Sequence, residues 1–200
     1  MIYGLVLAGG RSRRFGADKA LAELDGRSLV DAALASLGPA CARLALSARA
    51  DSAVAQLAAA RGLTRLADPP AAPEGPLAGV LAGLIWARDS GAALLATVPC
   101  DTPRLPADLV ERLAAAVDDA HPAAVARAPD GLHPLCGVWR ASLADPLAAL
   151  LAGGHHPPVR AALEQLGGRT VDFPDASAFA NVNTPGDLTR LSQGSAPTPR

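Results

Sequence analysis

The chain has 200 residues, half of them hydrophobic and 18% charged, with a formal net charge of −1. That length and apolar content suffice for one compact domain, and the near-zero charge excludes a general nucleic-acid or membrane-surface binder, whose basic excess would spread along a face. Cys41, Cys100 and Cys136 are odd in number and far apart, which fits reduced thiols rather than a disulfide framework or a zinc knuckle.

Residues 2–8 form an apolar run that stops at Gly9-Gly10, the pattern of a short strand buried on both faces. Adjacent glycines let bare N–H groups approach a ligand, and the loop that follows sets Arg11, Arg13, Arg14 and Lys19 against one carboxylate, Asp18. That local excess needs an anion, and polyphosphate matches guanidinium forks and an ammonium. A P-loop is excluded because five residues separate Gly10 from Gly16 and Ala17 follows where that motif has Lys. The G-x-G-x-x-G fingerprint is absent too.

Asp25-Gly26 predicts a hairpin or bend leading into a helix over 28–37, with Ser28 as its N-cap and Gly38-Pro39 as its stop. A second strand is expected over 42–48, and Asp51 should cap a helix that runs to about Arg61 and ends at Gly62. Residues 63–68 predict a third strand that delivers Asp68 to its carboxyl end. The proline-rich stretch 69–76 is a loop. Residues 77–87 are apolar at helical spacing, and Gly79 and Gly83 share one face, for which tight packing and ligand contact are equally good readings.

Residues 93–99 read as the most strongly buried strand, with Cys100-Asp101-Thr102-Pro103 at its exit. A helix over 106–117, strands near 123–127 and 135–140, and helices over 141–152 and 159–166 follow. A strand over 169–173 and a last helix over 185–191 complete a single domain, 1–191, and 192–200 has the composition of a disordered tail. No internal repeat is apparent. The first apolar run has no charged n-region, so a signal peptide is not expected. No apolar stretch approaches the roughly 20 residues of a membrane span, so a soluble, cytoplasmic protein is expected.

Strands and helices alternate through the first 120 residues, which predicts βαβ units and a parallel sheet with helices on both faces. Ligands of such sheets bind beyond the carboxyl ends of the strands, where Gly9, Ser47, Asp68 and Asp101 all fall. Asp101 is the strongest candidate, because Mg²⁺ takes one or two protein carboxylates and completes its shell with water and substrate phosphates. A helix cap or turn is the other reading of Asp101, and function and turn weigh about equally for Asp68 before its two prolines. Lys19 can reach a phosphate or face water. Ser47 can contact ribose or base, or be a turn residue.

Asn181 and Asn183 point to one side if their segment is extended, although a paired Asx turn explains them almost as well. His133 reads as a packing or hydrogen-bonding residue just before a strand, with no partner base in view. His155-His156 reads as an exposed loop without metal-ligand company.

LAGGRSRRFGADK at 7–19 resembles the L-A-G-G-x-S-x-R-[MF]-G-x-D-K signature of the molybdenum cofactor guanylyltransferase family. G-P-L-A-G-V at 75–80, P-C-D-T-P at 99–103, H-P-L-C-G-V-W at 133–139 and N-V-N-T-P at 181–185 are similar to that family's successive motifs, so the likeness covers 3–191. It implies an α/β three-layer sandwich with a mostly parallel central sheet, of the Rossmann-like nucleotide-diphospho-sugar transferase type. It also implies transfer of GMP from GTP to the phosphate of molybdopterin, with release of pyrophosphate.

By the same likeness Leu7, Ala8, Gly9, Gly10, Lys19, Ser47, Asp68 and Asp101 would bind GTP, and Asp101 would also hold Mg²⁺. Ser47 departs from the asparagine common in relatives, which leaves its contact open. Arg14, Lys19 and Asp101 would be the catalytic groups, Arg11 and Arg13 being open to a purely solvated role, and Asn181 and Asn183 would line the pterin side. The implied partners are GTP and molybdopterin, with transient contacts to proteins that deliver the pterin and to molybdoenzymes, and neither nucleic acid nor membrane. The readings left open are cytidylyl transfer, nucleotidyl transfer to a sugar or alcohol phosphate, and a non-catalytic nucleotide or pterin carrier.

Overall fold

Continuous runs of aliphatic residues build the strands, and Ala- and Leu-rich stretches build the helices around them. The structure, a computed structural model, describes residues 1–9 and 19–194. The expectations for Gly10, Arg11, Arg13, Arg14, Gly16 and residues 195–200 therefore lie outside the described residues.

The chain forms β1 (Ile2–Leu7), a ribbon of β2 (Glu23–Leu24) and β3 (Arg27–Ser28), then α1 (Leu29–Leu37) and β4 (Arg43–Ser47). Next come α2 (Ala53–Ala60), β5 (Thr64–Leu66), α3 (Pro76–Asp89), β6 (Leu94–Pro99) and α4 (Leu109–Ala115). The hairpin of β7 (Ala123–Ala128) and β8 (Gly131–Arg140) follows, then α5 (Ala144–Leu151), α6 (Val159–Gln165), β9 (Arg169–Asp172) and α7 (Pro185–Ser192). Seven strands form one sheet in the order β5-β4-β1-β6-β8-β7-β9. β1 pairs in parallel with β4 and β6, β4 with β5, and β7 with β9, while β8 is antiparallel to both its neighbours. One face of the sheet packs on α1, α2 and α4 through residues such as Val30, Leu37, Val54 and Leu109. The other packs on α3, α5 and α6 through Leu77, Leu84, Leu147 and Ala162. The result is the expected three-layer, mostly parallel architecture.

Local chemistry sets most boundaries. Asp25 (φ 52°) and Gly26 (φ 78°) both take positive φ, the type I′ geometry that suits a two-residue hairpin. The hydroxyl of Ser28 accepts from the Asp31 N–H at 3.2 Å and caps α1 as expected. The cap of α2 is Ser52 rather than Asp51. Ser52 Oγ accepts from the Ala55 N–H at 3.2 Å, whereas Asp51 pairs with Arg49 at 3.3 Å. The helix expected over 106–117 is shorter, Leu109–Ala115, and that expected over 141–152 begins with a 3₁₀ turn, Ala141–Leu143. β6 and β1 share the same pattern of four fully buried central residues, so β6 is not singled out by burial.

The two glycines of α3 serve close packing. A Cβ on Gly83 would stand 2.6 Å from Leu5 Cδ2 and 2.8 Å from Leu95 Cδ2, and one on Gly79 would stand 2.8 Å from Ser47 Oγ. Overpacking of this kind costs about 1–3 kcal/mol, more than the few tenths that valine gains over glycine in helix propensity. Gly83→Val is therefore expected to destabilise the protein by about 1–3 kcal/mol. A denaturant midpoint equal to that of the wild type would mean that α3 lies further from the sheet.

β8 carries a feature that shapes the site. Val125 pairs with Gly137 and the next residue, Ala126, pairs with His133, so Pro134, Leu135 and Cys136 bulge out of the ladder with β7. Proline cannot donate to a ladder, and bulges re-aim side chains beside functional sites. Thr97 on β6 secures the bulge by donating its hydroxyl to the Leu135 carbonyl at 2.9 Å, while buried Trp139 Nε1 donates to the same hydroxyl oxygen at 3.0 Å.

Candidate functional site

The carboxyl ends of β1, β4, β5 and β6 open on one cavity of about 920 Å³. That is near the upper end of the ~300–1,000 Å³ usual for small-molecule sites. Sheet order divides it. Leu7, Ala8, Gly9, Ser47, Asp68 and Gly79 line the part over β1, β4 and β5. His133, Pro134, Cys136, Asn181 and Asn183 line the part beside β8. Lys19 and Asp101 also line the cavity, Asp101 directly beyond the end of β6.

Every expected site residue among those described faces this cavity. Lys19 Nζ lies 2.7 Å from Asp101 Oδ2 and donates to Asn183 Oδ1 at 3.2 Å, so residues far apart in the chain meet at one ammonium. Both partners are partly shielded, with side-chain exposures of 13% for Lys19 and 26% for Asp101. Lys19 opens a short 3₁₀ turn, Lys19–Leu21, whose buried Ala20 anchors it to the core. The segment before α7 ties to Asp101 through its backbone, the Val182 N–H donating to the Asp101 carbonyl at 2.8 Å. Val182 is fully buried and its two flanking asparagines line the cavity. The paired Asx turn is not what forms: Asp187 accepts from the N–H groups of Asn183 and Thr184 at 2.8 and 2.7 Å and holds the entry to α7.

Ser47 is buried, its hydroxyl lying between Gly9 and Gly79. Asp68 lies two residues beyond β5. Although solvent reaches the residue, partial desolvation at the cavity wall, and then the nearby Glu74 carboxylate, push its carboxyl above the ordinary 3.8. The unfolded chain then loses this proton first, so folding stability falls as pH rises from 3.8 through the raised folded value. Asp68→Asn is expected to raise the melting temperature of the ligand-free protein at neutral pH and to leave it unchanged well below 3.8. A melting temperature lowered at neutral pH would show that this carboxylate is stabilising.

Sequence reasoning missed several wall residues. Arg49 and Glu74 line the cavity, Arg49 two residues past β4, where its position beyond a strand exit was a usable signal. His133 lies within β8 rather than before it and does have a partner, with Nε2 3.0 Å from Asp130 Oδ1. His156 is not simply exposed. Its Nε2 accepts from the Leu77 N–H at 3.0 Å, capping α3, and a Cβ on Gly75 (φ 155°) would stand 2.1 Å from its ring. Cys136 is inert, burial and then the nearby Asp101 charge pushing its thiol up to about 12.

Residues 4–170 match the MobA-like NTP transferase domain family. The chain belongs to that family. A molybdenum cofactor guanylyltransferase of Cereibacter sphaeroides is 46% identical over 190 residues, covering 94% of each chain. Another, of Acidiphilium cryptum, is 40% identical over 195 residues, covering 96% of this chain and 95% of its own. The solved structure of molybdopterin-guanine dinucleotide biosynthesis protein A from Archaeoglobus fulgidus superposes with a TM-score of 0.72 at 24% identity, covering 96% of this chain and 97% of its own. That likeness establishes the fold of this MobA-like domain. No helix among its described residues is long and apolar enough to cross a membrane.

Proposed function

We propose that this MobA-like transferase is a molybdenum cofactor guanylyltransferase, which moves GMP from GTP to the terminal phosphate of molybdopterin. Relatives bearing that name align with nearly the whole chain. The observation in the molecule that carries the reading is the meeting of Lys19, Asp101 and Asn183 in a cavity of about 920 Å³ at the carboxyl ends of the parallel strands.

A phosphate oxygen of the pterin attacks the α-phosphorus of GTP. The bond from that phosphorus to the oxygen bridging the β-phosphate breaks, and pyrophosphate leaves with the electron pair. The nucleophile is already an anion, so no strong base is needed, and positioning with charge stabilisation carries the rate. The phosphates are received at the backbone of Gly9, a contact Gly10 shares, and Leu7 and Ala8 form the cavity wall beneath them, the Ala8 N–H being held by the Ser47 carbonyl at 3.0 Å. Lys19 neutralises charge gathering on the leaving pyrophosphate, and Arg14 shares that task. Asp68 and Ser47 hold the nucleoside, and the asparagines Asn181 and Asn183 face the pterin.

The donor set suits Mg²⁺. Among the described residues no group of three or more His, Cys, Asp or Glu could hold a metal. Mg²⁺ commonly binds through one carboxylate and lets substrate phosphates and waters complete its shell, which a single Asp101 permits. When bound, Mg²⁺ would supply positive charge to the phosphate oxygens.

The test is pyrophosphate release with molybdopterin and Mg²⁺, comparing GTP with CTP. Turnover with GTP at least about tenfold above CTP is expected, about the discrimination that one good base contact provides. A preference for CTP would make the protein a cytidylyltransferase. Nucleotide binding without Mg²⁺-dependent pyrophosphate release would make it a carrier.

A further inference from the structure

His133 immediately precedes the β8 bulge, on the opposite side of β6 from the strands whose ends carry Gly9, Ser47 and Asp68. Its ring is fixed on two sides. One face stacks on Phe179 with centroids 4.6 Å apart and planes 23° apart, and buried Phe179 is itself braced edge-on by Phe173 at 5.4 Å. The Nε2 atom is 3.0 Å from Asp130 Oδ1. An ionised carboxylate only accepts hydrogen bonds, so it holds the proton on Nε2 and makes Nδ1 of the neutral ring an acceptor. The side chain is 14% exposed and lines the cavity. A histidine used only for packing needs no carboxylate to set its tautomer. This ring is held like a binding group whose orientation matters.

Resting on the guanylyl-transfer reading, we propose that His133 binds the acceptor substrate. Its Nδ1 accepts a hydrogen bond from an N–H of the acceptor's heterocycle, and Asp130 is a positioning residue that acts through His133. A neutral acceptor atom is poorly matched to a phosphate, which assigns His133 to the heterocyclic end of the pterin. The reacting phosphate is left to the cationic groups.

His133→Phe separates this role from packing, because it keeps a ring on Phe179 and removes both nitrogens. Asp130→Ala is the second variant, made at an exposed turn position where misfolding is not a concern. Three quantities are read for each protein: melting temperature, GTP affinity by calorimetry, and KM for molybdopterin at saturating GTP. The expected result is a KM for molybdopterin raised about tenfold in His133→Phe, the typical effect of losing one good hydrogen bond, and raised less in Asp130→Ala. GTP affinity should stay within about twofold. An unchanged KM for molybdopterin, or GTP affinity falling as much as acceptor binding, would overturn the proposal. A wild-type protein that forms no dinucleotide from GTP and molybdopterin would instead overturn guanylyl transfer itself, and the acceptor role with it.

Discussion

Asp101→Asn is expected to abolish measurable pyrophosphate release, with kcat/KM falling at least about 10³-fold while the fold survives. Removing one preorganised charge partner of a transition state costs about 10²–10³. Asp101 is asked to do more than that, since it faces the ammonium of Lys19 and is the proposed anchor of the metal. Asparagine keeps the shape and an oxygen that can still accept from Lys19, so the loss reports the missing charge. The part of Asp101 that holds the fold is its backbone carbonyl, which receives the Val182 N–H at 2.8 Å and is untouched by the change. The side-chain ion pair is partly solvated, and such pairs contribute about 0–1 kcal/mol to stability, so the melting temperature should shift by a few degrees at most. Near-normal pyrophosphate release by a well-folded Asp101→Asn protein would remove Asp101 from the chemistry.

The reading of the chain from its residues alone succeeded where the deciding interaction is local. The Asp25-Gly26 turn, the Ser28 cap and the strand ends that carry Gly9, Ser47, Asp68 and Asp101 are all set by neighbours within a few residues. The assignment of Asp51 as a cap failed because two good capping residues stand side by side, and an ion pair with Arg49 engages the first of them. Other misses are non-local. Pro134 marks where the ladder with β7 must break, but that three residues leave it is not local, because the bulge is held by Thr97 of a strand nearly 40 residues earlier. His156 caps a helix that starts 80 residues before it, an encounter that only the tertiary fold creates. The partner of His133 was close at hand, three residues away at Asp130, but the strand expected over 135–140 begins four residues earlier, at Gly131, and so takes in His133. Within the candidate site, Gly9, Lys19 and Asp101 were legible because each sits in a local motif at or near a strand exit. The charged Arg49 and Glu74 and the wall built by distant elements were not.

Lys19→Ala should lower kcat/KM by about 10²–10³-fold, the scale set by one lost transition-state charge partner. Lys19→Arg should not restore it. The ammonium fits between Asp101 at 2.7 Å and Asn183 at 3.2 Å as a compact point charge, and a planar fork cannot occupy that gap without displacing one of them. The sharper measurement is the double variant. If Lys19 holds the triphosphate directly and Asp101 holds it through the Mg²⁺ it would anchor, once either is gone the phosphates are no longer held for in-line attack, and the second loss removes little more. Asp101→Asn with Lys19→Ala should therefore be only slightly worse than Asp101→Asn alone, far short of the product of the two single effects. Losses that multiply would mean that the two residues act in independent steps rather than together on one bound triphosphate.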